Sequence, residues 1–357
     1  MKGSLPLGPF DTALRQPLLL ECEIEDAVIR GAEVRRAAGE ANLELAFEGV
    51  TPLEGAALAS HRCARSAVHH AAAFCAAVED AAGIEVPAEQ GAMRATLMEW
   101  GRIASHLEVV SDIARAIEDD LVYGRPRRYL AAIREGFERL CGNPFGFGSI
   151  VPGGVVIEGD LGALGFLDHA CGTLARDASF WAWKLRLSKG RLATGRLTRS
   201  ALPEKHPPAT AFRAGGSTSD LRSGEAAAGF YEEVAFRPVV RDGGSTLDRA
   251  FVLLGEIDAS LALIARAGKA LNDFSGLPEP VRMTSGKGSG VGECESPHGG
   301  LEYRVFLGSE GRIMRVRAAS AADAVAGLAG HTLKGVPFED VAPAFISLNL
   351  CAACMRQ

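Results

Sequence analysis

The chain has 357 residues, of which 47% are hydrophobic and 23% charged, and its formal net charge is −6. A chain of this length can bury a substantial core, and the composition is that of a globular protein rather than a disordered one. The acidic balance argues against nucleic acid as a partner, because such binding needs a basic face that displaces phosphate counterions.

The N-terminal stretch has no continuous apolar run of the kind a secretory leader carries. Leu18 to Val34 mixes apolar and acidic residues around Glu25-Asp26 and predicts a β-hairpin, so residues 1–50 read as a β-rich segment. From Pro52 the sequence turns alanine-rich, and a helix is predicted over Leu58 to Glu79, ended by Gly83 and Pro87. Met93, Leu97, Trp100, Ile103, Leu107, Val110 and Ile113 follow the three-four spacing of a buried helical stripe, predicting a helix over Met93 to Ala116. Further helices are predicted over Arg128 to Leu140, Leu161 to Leu187 and Leu247 to Leu271. Residues 188–245 are richer in Gly, Pro, Ser and Thr and predict loops with short strands. Glu302 to Ala318 reads as a hairpin turning at Gly308-Ser309-Glu310-Gly311, followed by a helix over Ala321 to Leu333 and an apolar C-terminal segment. This order predicts an α+β, mainly helical fold. A helical core over 51–357 is flanked by small sheets at both ends, with 1–357 forming one integrated domain. The longest uncharged run, Leu140 to Ile157, is interrupted by five glycines and two prolines. No transmembrane helix is predicted, since one needs about 20 mostly apolar residues.

Eight cysteines in a chain of this length without a leader do not suggest a disulfide framework. Most read as small buried apolar residues. Cys351-Ala-Ala-Cys354 differs, because its spacing suits a metal-ligand pair or a redox pair. Arg94, Glu99 and Arg102 read as ion pairs along one helix, and His70 and His106 as core or capping histidines.

Several segments combine into a resemblance. These are His61-Arg62-Cys63-Ala64-Arg65-Ser66 with His70, Glu79-Asp80-Ala81-Ala82-Gly83-Ile84-Glu85-Val86-Pro87, and the helix Met93 to Leu107. Pro152-Gly153-Gly154, Arg213-Ala214-Gly215-Gly216, Asp220-Leu221-Arg222, Glu295-Ser296-Pro297-His298-Gly299 and Asn349-Leu350-Cys351-Ala352-Ala353-Cys354 continue the series. In order, from about residue 40 to the end, they resemble the large subunit of nickel–iron hydrogenases of the energy-converting, formate hydrogenlyase-type branch. That family is homologous to the core large subunit, of the D type, in respiratory complex I.

The resemblance implies a mainly helical fold and a nickel–iron centre held by two Cys-x-x-Cys pairs, doing hydrogen and proton redox chemistry. It also implies electron transfer to an iron–sulfur small subunit, and a place on the cytoplasmic face of the membrane through partner subunits. No nucleotide cofactor is implied for this chain. Cys63, Cys351 and Cys354 match metal ligands, Glu44 matches a proton-relaying glutamate, and His298 occupies the place of an arginine above the metal. The motif is incomplete. Ser66 stands where a bridging cysteine is expected, and Asn349-Leu350 where the family has Asp-Pro. The quinone-pocket residues of the complex I branch are absent too: Cys63 and Ala64 occupy the places of its aspartate and tyrosine. Two alternatives stay open: a non-catalytic coupling subunit of a complex-I-like assembly, and a zinc-binding protein using the three cysteines with His70 or His298.

Overall fold

A computed structural model of the chain describes residues 2–7, 18–36, 43–197, 208–223, 229–272, 279–281 and 287–355. Strands β1 (Lys2–Leu7), β2 (Leu18–Glu25) and β3 (Val28–Arg36) form an antiparallel sheet, β2 and β3 being the predicted hairpin. Its buried residues Leu18, Leu20, Cys22 and Ile29 face inward. A 3-10 turn, Leu43–Phe47, leads into α1 (Pro52–His61), which starts on a capping box between Thr51 and Glu54.

The helix predicted over Leu58 to Glu79 is two helices. After α1 the chain turns through Arg62 to Arg65 before α2 (Ala67–Ala82) begins. Ser66 stands outside both at φ −143°, and its N–H donates to the Cys63 carbonyl at 3.1 Å, closing a tight turn. Good helix formers lie on either side, so nothing local marks this break.

The long helix α3 (Ala88–Ala116) follows, and then α4 (Asp120–Cys141), which is longer at its start than predicted. A two-strand ribbon, β4 (Ile150–Val151) with β5 (Gly154–Val155), precedes α5 (Ala163–Cys171) and α6 (Leu174–Leu187). The single helix predicted over Leu161 to Leu187 is therefore interrupted at Gly172-Thr173, two residues with poor helix propensity. Between 188 and 245 the described residues form short helices rather than strands: α7 (Lys189–Leu192), α8 (Ala209–Ala214) and α9 (Phe230–Glu233). There Pro208 makes only an isolated bridge to Gly299. The helix α10 (Thr246–Asn272) packs along α3.

The C-terminal hairpin is a three-stranded sheet of β6 (Gly288–Ser296), β7 (Gly299–Leu307) and β8 (Ile313–Ser320), and α2 lies across β6 and β7. Next come α11 (Ala322–Leu333), packed on β3, and α12 (Val341–Ile346). The first sheet is thereby covered by the last part of the chain, and one apolar core runs from Leu18 to Cys354.

Two buried polar systems fix this arrangement. Arg249 on α10 has its guanidinium fully buried. It donates to the carbonyls of Gly195 at 2.9 Å and Gly244 at 2.8 Å and to Ser347 Oγ at 2.8 Å, clamping the segment after α12. The second is a charge network centred on α3. Glu99 receives Arg222 at 3.1 Å, Tyr231 at 2.7 Å, Ser260 at 2.5 Å and Arg102 at 3.2 Å. Arg213 reaches Glu256 at 2.7 Å, Glu295 at 2.8 Å and Asp220 at 3.1 Å. Four of the eight sequence segments that carried the resemblance meet here. Arg94 is not part of it: it pairs with Glu79 at 2.7 Å, so only Glu99 and Arg102 form the expected pair along the helix. His106 is a core histidine, its Nε2 2.8 Å from Glu256.

Candidate functional site: a buried thiol–imidazole cluster

Three backbone segments converge beside this network. The turn after α1 brings Cys63, the turn between β6 and β7 brings His298, and the stretch after α12 brings Cys351 and Cys354. The last of these is shaped by Asn349, which sits at φ +55°, a left-handed conformation that asparagine tolerates better than most residues. Its Nδ2 donates to the Pro297 carbonyl at 2.8 Å and its Oδ1 accepts from Arg65 at 3.0 Å, tying the three segments together. Arg65 also pairs with Glu108 on α3 at 3.0 Å.

Cys63 Sγ lies 3.2 Å from Cys351 Sγ. Cys354 Sγ lies 3.2 Å from Nε2 of His70, whose Nδ1 is 2.9 Å from the hydroxyl of Tyr303. The ligand atoms of Cys63, His70 and Cys354 are mutually within 4.8 Å, and so are those of Cys63, His298 and Cys351. All five side chains are buried. The three cysteines expected as ligands are therefore brought together, from positions almost 300 residues apart.

Hydrogen bonds from Cys351 and Cys354 hold the Cys63 thiol well below its usual range, against the opposing effect of burial. A bond to Cys354 lowers Cys351, but the bond to Cys63 and burial outweigh it and push Cys351 up to about 12. The bonds to Cys351 and Cys63, with burial, raise Cys354 far above the ordinary thiol range. Burial pushes His70 down to about 3, so its ring is neutral. Three clustered cysteine sulfurs beside two imidazoles are a donor set for a soft or borderline metal ion.

Ser66 is 1% exposed, and its Oγ has no hydrogen-bond partner among the described residues. It lines a cavity of about 310 Å³ with Arg65, Ser105, Glu108, Asn349 and Leu350. Glu44 sits at the rim of the C-terminal sheet, half-buried, where its Oε1 accepts from the Ala318 backbone N–H at 3.0 Å. A binuclear centre of the implied kind calls for four thiolates, and the cluster offers three. The donor set therefore falls one bridging sulfur short of two metal ions. Sequence reasoning singled out Cys63, Cys351, Cys354 and His298, but not Arg65 or Tyr303, whose roles depend on partners more than 200 residues distant.

Residues 131–286 match the family of the respiratory-chain NADH dehydrogenase 49-kDa subunit. The carbon monoxide-induced hydrogenase of Rhodospirillum rubrum is 22% identical over 320 residues, covering 88% of each chain. A D-type NADH-quinone oxidoreductase subunit of Solibacter usitatus is 27% identical, covering 71% of this chain and 69% of that one. Among solved structures, a chain of the membrane-bound sulfane sulfur reductase, an archaeal respiratory membrane complex, superposes with a TM-score of 0.88. It has 19% identity, over 99% of this chain and 97% of its own. The fold is thus that of the matched respiratory-complex chain over nearly its whole length. The chain is similar over most of its length to membrane-bound hydrogenase and D-type NADH-quinone oxidoreductase subunits, and its central part matches the 49-kDa subunit family.

Proposed function

We propose that this protein is the large subunit of a membrane-bound, complex-I-like oxidoreductase complex, docked on an iron–sulfur small subunit at the cytoplasmic face. The observation that carries this reading is the convergence of Cys63, Cys351 and Cys354 in one buried pocket of a chain with this ancestry. None of the described helices is long and apolar enough to cross a membrane, so attachment would come through partner subunits. The family's chemistry is hydrogen and proton redox at nickel and iron. Here the pocket would descend from that centre with an altered donor set. A second reading, a coupling subunit without its own catalysis, is favoured by the way the departures fit one another. His298 Nδ1 bonds the Asn349 carbonyl at 2.9 Å, and Asn349 bonds the loop that carries His298.

Affinity purification of the tagged chain from native membranes tests the subunit assignment. A small iron–sulfur subunit and membrane subunits are expected to co-elute. Recovery as a lone monomer in the aqueous fraction overturns it.

A further inference from the structure

The two histidines beside the thiols differ in what their nitrogens do. Both nitrogens of His70 are engaged, Nδ1 with the Tyr303 hydroxyl and Nε2 with Cys354. His298 has one partner, the Asn349 backbone carbonyl, 2.9 Å from Nδ1. A carbonyl can only accept, so the proton of a neutral His298 ring resides on Nδ1 and the lone pair on Nε2. That Nε2 is buried and has no partner among the described residues. A buried acceptor left unmatched costs about 1–3 kcal/mol. The arrangement is one that metal-bound histidines adopt, in which the second ring nitrogen donates to a backbone carbonyl and so fixes the tautomer.

We propose that Cys63, Cys351, Cys354 and Nε2 of His298 form a mononuclear Cys₃His site for a zinc-class divalent ion, with His70 steering Cys354 from outside the ligand set. The proposal rests on the reading above only in taking the thiol pocket as an ion site. Corners of a tetrahedron with 2.3 Å metal–sulfur bonds lie about 3.7 Å apart. The Cys63–Cys351 sulfurs are 3.2 Å apart, and the atoms of each Cys63-sharing triad are within 4.8 Å. The two triads share Cys63, so drawing Cys354 in toward Cys351 and His298 closes the set on one ion. Three sulfurs and one imidazole make a complete structural zinc shell, in which no open position is left. The same substitution that removed the family's arginine thus supplies the fourth donor that Ser66 does not.

The test uses the full-length chain, purified under reducing conditions, freed of metal and titrated with zinc(II) or with cobalt(II) as a spectroscopic probe. One ion per chain is expected, with tetrahedral cobalt bands, thiolate charge transfer and an S₃N shell by X-ray absorption. His298→Gln should lose the nitrogen from that shell and weaken binding more than His70→Gln, which should retain S₃N and cost on the order of 10–100-fold. His298→Cys should keep one ion in an S₄ shell, an outcome that a merely space-filling histidine does not predict and that needs no comparison with a weakened fold. Binding of no ion, binding of two ions per chain, or loss of the nitrogen in His70→Gln instead of His298→Gln overturns the assignment. Partner co-purification is scored separately. A complex recovered intact but without the ion sinks this inference and leaves the subunit reading standing.

Discussion

A serine hydroxyl buried without a partner forfeits about 1–3 kcal/mol, and Ser66 occupies such a position just before α2. Ser66→Ala should therefore raise the unfolding free energy by about 1 kcal/mol, read as a higher denaturant midpoint with unchanged slope. Ser66→Cys is nearly isosteric and returns a sulfur to the turn that already presents Cys63. After co-expression with maturation factors it should retain more nickel than the parent. Equal nickel content in the two proteins tells against a vestigial hydrogenase geometry at this turn. Residue identities made the cysteines visible in the sequence, because their pair spacing at the C-terminus is a local signal. Asn349 and His298 stood out only as departures from a motif. Their meaning lies in hydrogen bonds spanning about 50 residues, which no local pattern carries.

At the scale of elements, the strongly periodic helices were legible, while the break between α1 and α2 and the strand β6 were not. The sequence of β6, Gly288 to Ser296, has glycines at alternate positions where a strand would show apolar residues. The reason is the helix lying on it. A Cβ on Gly292 would come 2.2 Å from the Ala73 carbonyl oxygen, and one on Gly290 2.1 Å from that of Ala77. Glycine is required so that the α2 backbone can approach the sheet, and that approach carries His70 toward Cys354. Gly292→Ala should push α2 off the strand and destabilise the fold by about 3 kcal/mol. Gly165→Ala on α5, where an added methyl meets nothing within 4 Å, should instead gain about 0.5–1 kcal/mol. Urea denaturation of the two variants separates the cases. A Gly292→Ala protein as stable as the parent contradicts the packing described.

Across the whole molecule, stability is tied to buried groups whose protonation differs between the folded and unfolded chain. His69 is fully buried with neither ring nitrogen bonded among the described residues, and burial with the nearby Arg102 charge holds it well below its usual range. Burial also lowers His106, although its bond to Glu256 opposes this. Below the ordinary histidine value of 6.5 the unfolded chain takes up protons that the folded chain refuses. Burial holds His70 down in the same way, so the stability contributed by the three rings is complete above that pH and declines as pH falls, by up to about 4 kcal/mol per unit while all three titrate only when unfolded. The network extends the loss. Although burial opposes it, Arg213 and His106 keep Glu256 ionised well below the usual carboxylate range, and Arg222, against the same opposition, lowers Glu99 and Asp220. Their contributions disappear as pH drops through those lowered values. Glu295 runs the other way: burial and the Asp220 charge raise it, so it costs stability above the ordinary carboxylate range. The net expectation is a melting temperature that starts to fall near pH 6.5, about two units above the ordinary glutamate value, and keeps falling through pH 4. His106→Gln should flatten the upper part of that decline, between about pH 6.5 and 5, and leave the lower part in place. A parent protein whose melting temperature holds steady from pH 7 to 5 would show that these histidines are not buried neutral in the folded chain.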